Sequence, residues 1–370
     1  MSFCRRVNAG LALAALALVS SARPASPHET VNTTVLFDRE IVRILNSHCV
    51  MCHADGGPSF PLETYEQAWL QRRKMSAEVI GRHMPPWPAL SGYGHFKNEN
   101  VVTLRESQFL VSWMEGLGPR NAGKVFTNTS DPSAPKTVAV KAHADFGAWH
   151  LGKPDLVKVV PASTTIDLGL TAERRLRAFE FKPADRRSAH AAVFSIKETG
   201  QWIASWTPWQ GFVELPRGVS YRLPAGAHLV ASIQGAGGGE IGLFFETAPD
   251  GRSVSDLVVD ATGRTRLHGE TTLQADTTLL ALRPDVTSGI KSVEVSARTA
   301  DGGTQVLLFA KEFAAEWPTP FIFAAPLALR RGTTIAVSAY GEAPVLRTTI
   351  STVSSGPAPR TSTPPAPRSR

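Results

Sequence analysis

Residues 49–53 read Cys49-Val50-Met51-Cys52-His53, and beyond Cys4 these two cysteines are the only ones in a chain of 370 residues. Two thiols three positions apart, followed at once by an imidazole, form the pattern by which haem is attached covalently. Each thiol adds to a vinyl group, and the histidine falls beneath the iron as proximal ligand. A redox C-x-x-C pair or a surface disulfide followed by a chance histidine is the competing interpretation.

Upstream, Phe37, Ile41, Ile44, Leu45 and His48 recur at helical spacing, so a short helix is predicted to lead into the motif. His48 is read as a helix-end side chain, because His53 already fills the proximal place. Downstream, Met84 stands in Arg82-His83-Met84-Pro85-Pro86-Trp87-Pro88. The prolines fix φ and push their predecessors toward extended backbone, so Met84 is presented from a stiff strap as candidate distal ligand. Methionine–histidine ligation raises the reduction potential, which suits a one-electron carrier. The rivals are His83, which would give bis-histidine ligation, and Met75 within a predicted helix. Packing of Met84 against Trp87 as a gap-filler is the structural alternative. Thr103-Leu104-Arg105-Glu106 forms a capping box, and Phe109, Leu110, Trp113 and Leu117 follow on one helical face, with Gly116 and Gly118 near its end.

From Ile44 to Arg120, the segments CVMCH, GGPSFPLETYEQA, RHMPPWP, SGYGHFKNEN and SWMEGLG resemble the cytochrome c modules fused in bacteria to copper type II, ascorbate-dependent monooxygenase-like domains. That resemblance implies Met84 as distal ligand.

The formal charge is +7, from 39 Lys+Arg against 32 Asp+Glu. The first 22 residues carry Arg5 and Arg6 without an acid, and the last twenty carry Arg360, Arg368 and Arg370 without an acid; the body is close to neutral at +2. Its arginines are dispersed, so nucleic-acid binding is not expected. Arg5 and Arg6 precede the apolar run Leu11–Val19 and the small residues Ser20-Ser21-Ala22, which read as a cleavable export signal over 1–22. The run is too short to cross a bilayer, which needs roughly 20 apolar residues, so no transmembrane anchor is expected. A periplasmic or secreted protein follows, and Cys4 leaves with the signal.

Beyond a Ser/Thr/Asn/Pro-rich linker the pattern changes. The runs LVKVV, RAFEF, HAAVFSI, HLVASI, IGLFFE, VEVSA, VLLFA, FIFAA and TIAVSAY are separated by Gly and Pro, which predicts two β-sandwiches or one large one. Gly235–Gly239 reads as a turn, lacking the lysine and helix of a phosphate loop. The opening run Trp149-His150-Leu151-Gly152-Lys153-Pro154-Asp155, and LPRGVSYRLPAGAHLVASI before IGLFFE, resemble the peptidylglycine-hydroxylating copper monooxygenases; Leu279–Tyr340 is similar to their second jelly roll. The family chemistry needs one copper held by three histidines and another held by two histidines and a methionine. At the matching positions this chain has Ala189-His190, Gln234-Gly235 and Asp285-Val286-Thr287, and no methionine follows Met114. Copper is therefore not expected, since such sites depend on imidazole or sulfur donors. Beyond His150 only His190, His228 and His268 remain.

Trp149, Trp202, Trp206, Trp209 and Trp317 are read as core or interface aromatics. Trp206-Thr207-Pro208-Trp209 is the one candidate exposed patch. No catalytic nucleophile with a neighbouring base is legible.

The expected fold is α + β and multidomain. A small, mostly α cytochrome c domain spans 30–122, a linker 123–144, a first monooxygenase-like β-sandwich 145–255, a second 265–350 and a disordered tail 351–370. The expected role is one-electron transfer through covalent haem c bound by Cys49, Cys52, His53 and Met84. The partners would be periplasmic redox proteins, with the β region as docking or small-ligand scaffold. A haem-coupled copper hydroxylase and a sensory haem protein are the alternatives.

Overall fold

The computed structural model describes residues 33–121, 148–247, 251–313 and 317–354. The predicted export signal and linker 123–144 lie outside the described residues. The chain is mostly β, built from several sheets, with a helical segment ahead of them.

In that segment a π-helical turn, Phe37–Ile41, runs into α1 (Val42–His48), followed by α2 (Tyr65–Ile80) and α3 (Leu104–Glu115). Capping boxes start the two longer helices: Thr64 accepts from the Gln67 amide, and Thr103 accepts from the Glu106 amide. Ile41, Leu45, Leu110 and Trp113 form the centre of a local core, as the spacing predicted. Leu117 departs from that expectation. It lies beyond the helix end with φ of 69° and is exposed, and Met114 takes the buried place.

The first β module comprises β1 (Leu156–Val160), β2 (Thr164–Asp167), β3 (Arg174–Pro183), β4 (Ala189–Ile196), β5 (Trp202–Trp206), β6 (Phe212–Glu214), β7 (Val219–Leu223), β8 (His228–Gly235), β9 (Gly239–Phe245) and β10 (Arg252–Ser253). One sheet runs β1-β9-β3-β7-β10 with β6 beside β3, and a second runs β2-β8-β4-β5. They share a core in which Phe194 meets Phe179 and Phe181 at ring centroids of 4.7 and 5.1 Å. The β8–β9 turn admits only glycine at 238, where a Cβ would stand 1.8 Å from the Val160 carbonyl oxygen.

The second module comprises β11 (Ser255–Gly263), β12 (Arg266–Thr272), β13 (Thr277–Pro284), β14 (Ile290–Arg298), β15 (Thr304–Lys311), β16 (Phe321–Leu329), β17 (Thr334–Gly341) and β18 (Val345–Ser354). They pair in one unbroken sheet, β15-β14-β17-β12-β11-β18-β13-β16. Two boundaries shift from the sequence expectation. β11 begins at Ser255 and fills the gap left before 265, and β18 carries the module to Ser354. Ser351, Thr352 and Val353 are buried strand residues, so the expectation of a disordered tail from 351 is corrected for 351–354, and the rest of that segment lies outside the described residues. The serines and threonines there mask the strand because several face inward.

Sheet edges β15 and β16 are joined by the segment after Met84. Ala89 bridges to Ala310 on β15, and Phe96 bridges to Phe323 on β16. The Leu90 amide donates to the Phe309 carbonyl at 2.8 Å and the Lys97 amide to that of Ile322 at 2.7 Å. Eight strands laid flat would separate the edges by about 34 Å. A seven-residue stretch reaches at most about 25 Å, so the sheet must curl. Trp87 and Phe96 enter its core, each with ring centroid 5.4 Å from Phe321. The strap thus belongs to the β module's core as well as to the helical segment, and Trp87 packs in that core.

The two β modules also share buried residues, since Leu280 and Val353 of the second pack in the first module's core. Among the described residues, no helix is long and apolar enough to cross a membrane.

Candidate functional site

Helix α1 delivers Cys49. Its amide donates to Leu45, and the Cys52 and His53 amides donate back to the Cys49 carbonyl at 3.0 and 2.9 Å, so the motif wraps in one tight turn. The His53 carbonyl accepts from the Leu62 amide at 2.7 Å, closing the loop over residues 53–62.

His53 Nδ1 lies 2.8 Å from the Phe60 carbonyl oxygen, which accepts only, so Nδ1 carries the proton and donates. Nε2 is left with its lone pair, the tautomer a metal-binding imidazole needs. Burial lowers the His53 pKa below the ordinary value, only partly countered by that hydrogen bond, and Lys74 lowers it further. The imidazole is neutral at pH 7.

Cys49, Cys52, His53, Met75 and Met84 line one cavity of about 290 Å³, whose further walls include Phe60, Leu62, Val79 and Leu110. Ser59, Lys74 and Met84 on its rim are exposed, so the cavity opens to solvent. His83 stands outside it: its ring is exposed and lies 3.1 Å from Glu78. The structure therefore offers two thioethers to the cavity and leaves His83 facing solvent. His48 bridges the end of α1 to the start of α3, 2.9 Å from Asn100 and 3.4 Å from Glu106, the helix-end role its position suggested.

Both cysteines are free. Burial pushes the Cys49 and Cys52 thiols up to about 12, opposite to the lowered values of reactive C-x-x-C thiolates. Among the described residues, no three His, Cys, Asp or Glu side chains converge to hold a bare metal ion. Cys49, Cys52 and His53 are thus arranged around a shared cavity without forming a direct metal cage. Two thiols, a lone-pair imidazole nitrogen, thioethers and apolar walls fit a haem.

A contact that local sequence pattern does not reveal comes from the loop before β4. Arg186 Nη2 donates to the Met51 carbonyl at 3.1 Å and to the Pro208 carbonyl at 3.4 Å, while Arg187 pairs with Asp55 at 3.1 Å. Both arginines stand far along the chain from the motif, with no periodicity to mark them.

The positions matched to copper ligands lie near one another, with His190 beside Gly235, but their side chains do not form a donor set. Gln234 and Asp285 line a cavity of about 390 Å³ between the β modules, together with Trp317. His190 is exposed with its ring 6.4 Å from Trp317. His150 lies 2.7 Å from the buried Glu180, His228 3.0 Å from Glu198, and His268 3.2 Å from Ser338. The candidate patch at 206–209 is not exposed: Trp206, Thr207 and Pro208 are buried, and Trp209 is half-buried with its ring centroid 5.2 Å from Trp317.

Comparison with models of known families finds no match, and no curated protein matches the sequence. Among solved structures, the chain is similar to the major capsid protein P2 from Bacteriophage PM2, at 6% identity and a TM-score of 0.29 over 54% of this chain and 97% of that one. A likeness that weak carries no argument about fold or function.

Proposed function

We propose that residues 30–122 form a cytochrome c domain and that the protein is an exported one-electron carrier. Cys49 and Cys52 would attach haem c, with His53 as proximal and Met84 as distal iron ligand. The observation that carries this reading is the shared cavity of Cys49, Cys52, His53 and Met84, with His53 Nδ1 committed to the Phe60 carbonyl and Nε2 left to donate its lone pair. Bound haem supplies a reversible ferric/ferrous couple. The chain's own residues fix the imidazole through Phe60, line the cavity with the apolar side chains of Leu62, Val79 and Leu110, and present a soft sulfur at the cavity rim. The β modules act as the scaffold on which this segment is docked, and their resemblance to copper monooxygenases is taken as a degenerate one. A periplasmic redox protein is the expected partner.

The test is expression with a cytochrome maturation system. Haem should remain with the polypeptide through denaturation and organic extraction. Cys49→Ala combined with Cys52→Ala should abolish the attachment. Extractable haem, or none, in the wild type would refute the proposal.

A further inference from the structure

Arg186 belongs to the first β module, yet its guanidinium bonds the backbone of Met51, one of the two residues between the cysteines. Nη2 donates to the Met51 carbonyl at 3.1 Å. Its own loop is braced to keep it there: Asp185 accepts from the Arg187 amide at 2.9 Å and from the Ser188 hydroxyl at 2.8 Å. Arg187 adds an ion pair to Asp55, at the other end of the attachment loop. Arg186 is half-buried whereas Arg187 and Asp55 are exposed, so solvent and salt screen the second pair far more than the first charge. The β module therefore places one fixed, weakly screened cation against the attachment loop.

We propose that Arg186 is an electrostatic determinant of the haem reduction potential, supplied by the β module to the helical segment. The inference rests on the haem reading above. Reduction adds one electron from a one-electron donor, ferric iron becomes ferrous, and no proton moves to or from Arg186. A nearby positive charge stabilises the form that has gained the electron, so it favours reduction. Docking of the two parts then sets the potential, and the fused β region has an electronic as well as a mechanical role.

The experiment titrates the holoprotein spectroscopically against redox mediators. Arg186→Met should lower the equilibrium constant for reduction by roughly three- to tenfold, the scale of one unit charge acting through a partly buried separation. Arg186→Gln, which keeps a donor for the Met51 carbonyl, should fall equally and serves should the methionine variant fail to fold. Arg186→Lys should recover most of the loss, and Arg187→Gln should change little. Equal potentials in all variants, or a lysine variant that falls as far as the neutral ones, would overturn the inference while leaving the haem assignment intact. Absence of covalent haem in the wild type would instead remove the reading on which it rests.

Discussion

Met84 and Met75 both line the cavity, and chemistry alone does not separate two thioethers. Position does. Met75 is a buried residue inside α2, packed in the local core, whereas Met84 is 41% exposed on a proline-flanked strap at the rim. Burial in the local core ties Met75 to packing, which favours the more exposed Met84 as the proposed ligand. Met84→His should lower the reduction potential, because imidazole stabilises ferric iron better than a thioether does, and Met84→Ala should remove the sulfur-to-iron charge-transfer band of the oxidised protein. Met75→Leu should leave both unchanged. The reverse pattern would assign the ligand to Met75. A second prediction concerns Arg283, which lies 3.6 Å from Asp256 with its guanidinium 4.7 Å from the Trp202 ring centroid. Burial raises the Asp256 pKa, with Arg283 and the Ser351 hydroxyl opposing. A carboxylate whose folded value is raised gives stability that is present below the ordinary range and lost as pH climbs through the folded value. Arg283→Met removes the opposing charge, so the variant should lose about 3 kcal/mol at pH 7.5 and markedly less at pH 4.5, read from urea midpoints.

At the scale of elements, the strap after Met84 ties the parts together, and its contacts give a sharp test. Trp87→Ala deletes a ring that packs on Phe96 and Phe321 inside the curled sheet, so it should cost about 3–5 kcal/mol by chemical denaturation. A loss below about 1 kcal/mol would mean that the strap merely rests on the sheet. Local pattern made some elements legible and hid others. The apolar face of α1, the capping box of α3 and the runs that became β1, β4, β8, β9 and β14 to β17 all carry their signal within a few residues. By contrast, β11 and β18 carry charges and hydroxyls that only make sense in pairs: Arg347 bonds Asp260 across the ladder at 2.9 Å, and the Ser351 hydroxyl reaches Asp256 at 3.3 Å. The Thr348 side chain is buried although polar. Strap closure was hidden for a similar reason, since the bridges Ala89–Ala310 and Phe96–Phe323 join residues more than 200 positions apart. The cavity residues were readable because three of them sit in one pentapeptide, whereas Arg186 reached the site only through tertiary folding.

At the scale of the whole molecule, the distribution of histidines among the described residues favours the proposed carrier over a copper oxygenase. A redox copper held by protein needs several imidazole or sulfur donors brought to one point. Among the described residues of the β modules, each histidine has its own separate neighbour: Glu180 for His150, Trp317 for His190, Glu198 for His228 and Ser338 for His268. The positions that face the cavity between the modules, Gln234 and Asp285, present an amide and a carboxylate. Neither is a strong donor to copper in its reduced, soft form. The purified holoprotein should therefore contain one iron per chain and no stoichiometric copper after mild dialysis, measured by elemental analysis. It should also consume no oxygen with ascorbate and a hydroxylatable peptide beyond the rate of a haem-only control. A weakly bound copper is distinguished from a catalytic one by substitution. His190→Ala should leave both metal content and oxygen consumption where they were, because one exposed imidazole beside Trp317 cannot hold the ion alone. Two coppers that survive dialysis and disappear in His190→Ala would establish donors converging on that cavity, and would turn the haem segment into the electron supply of an oxygenase.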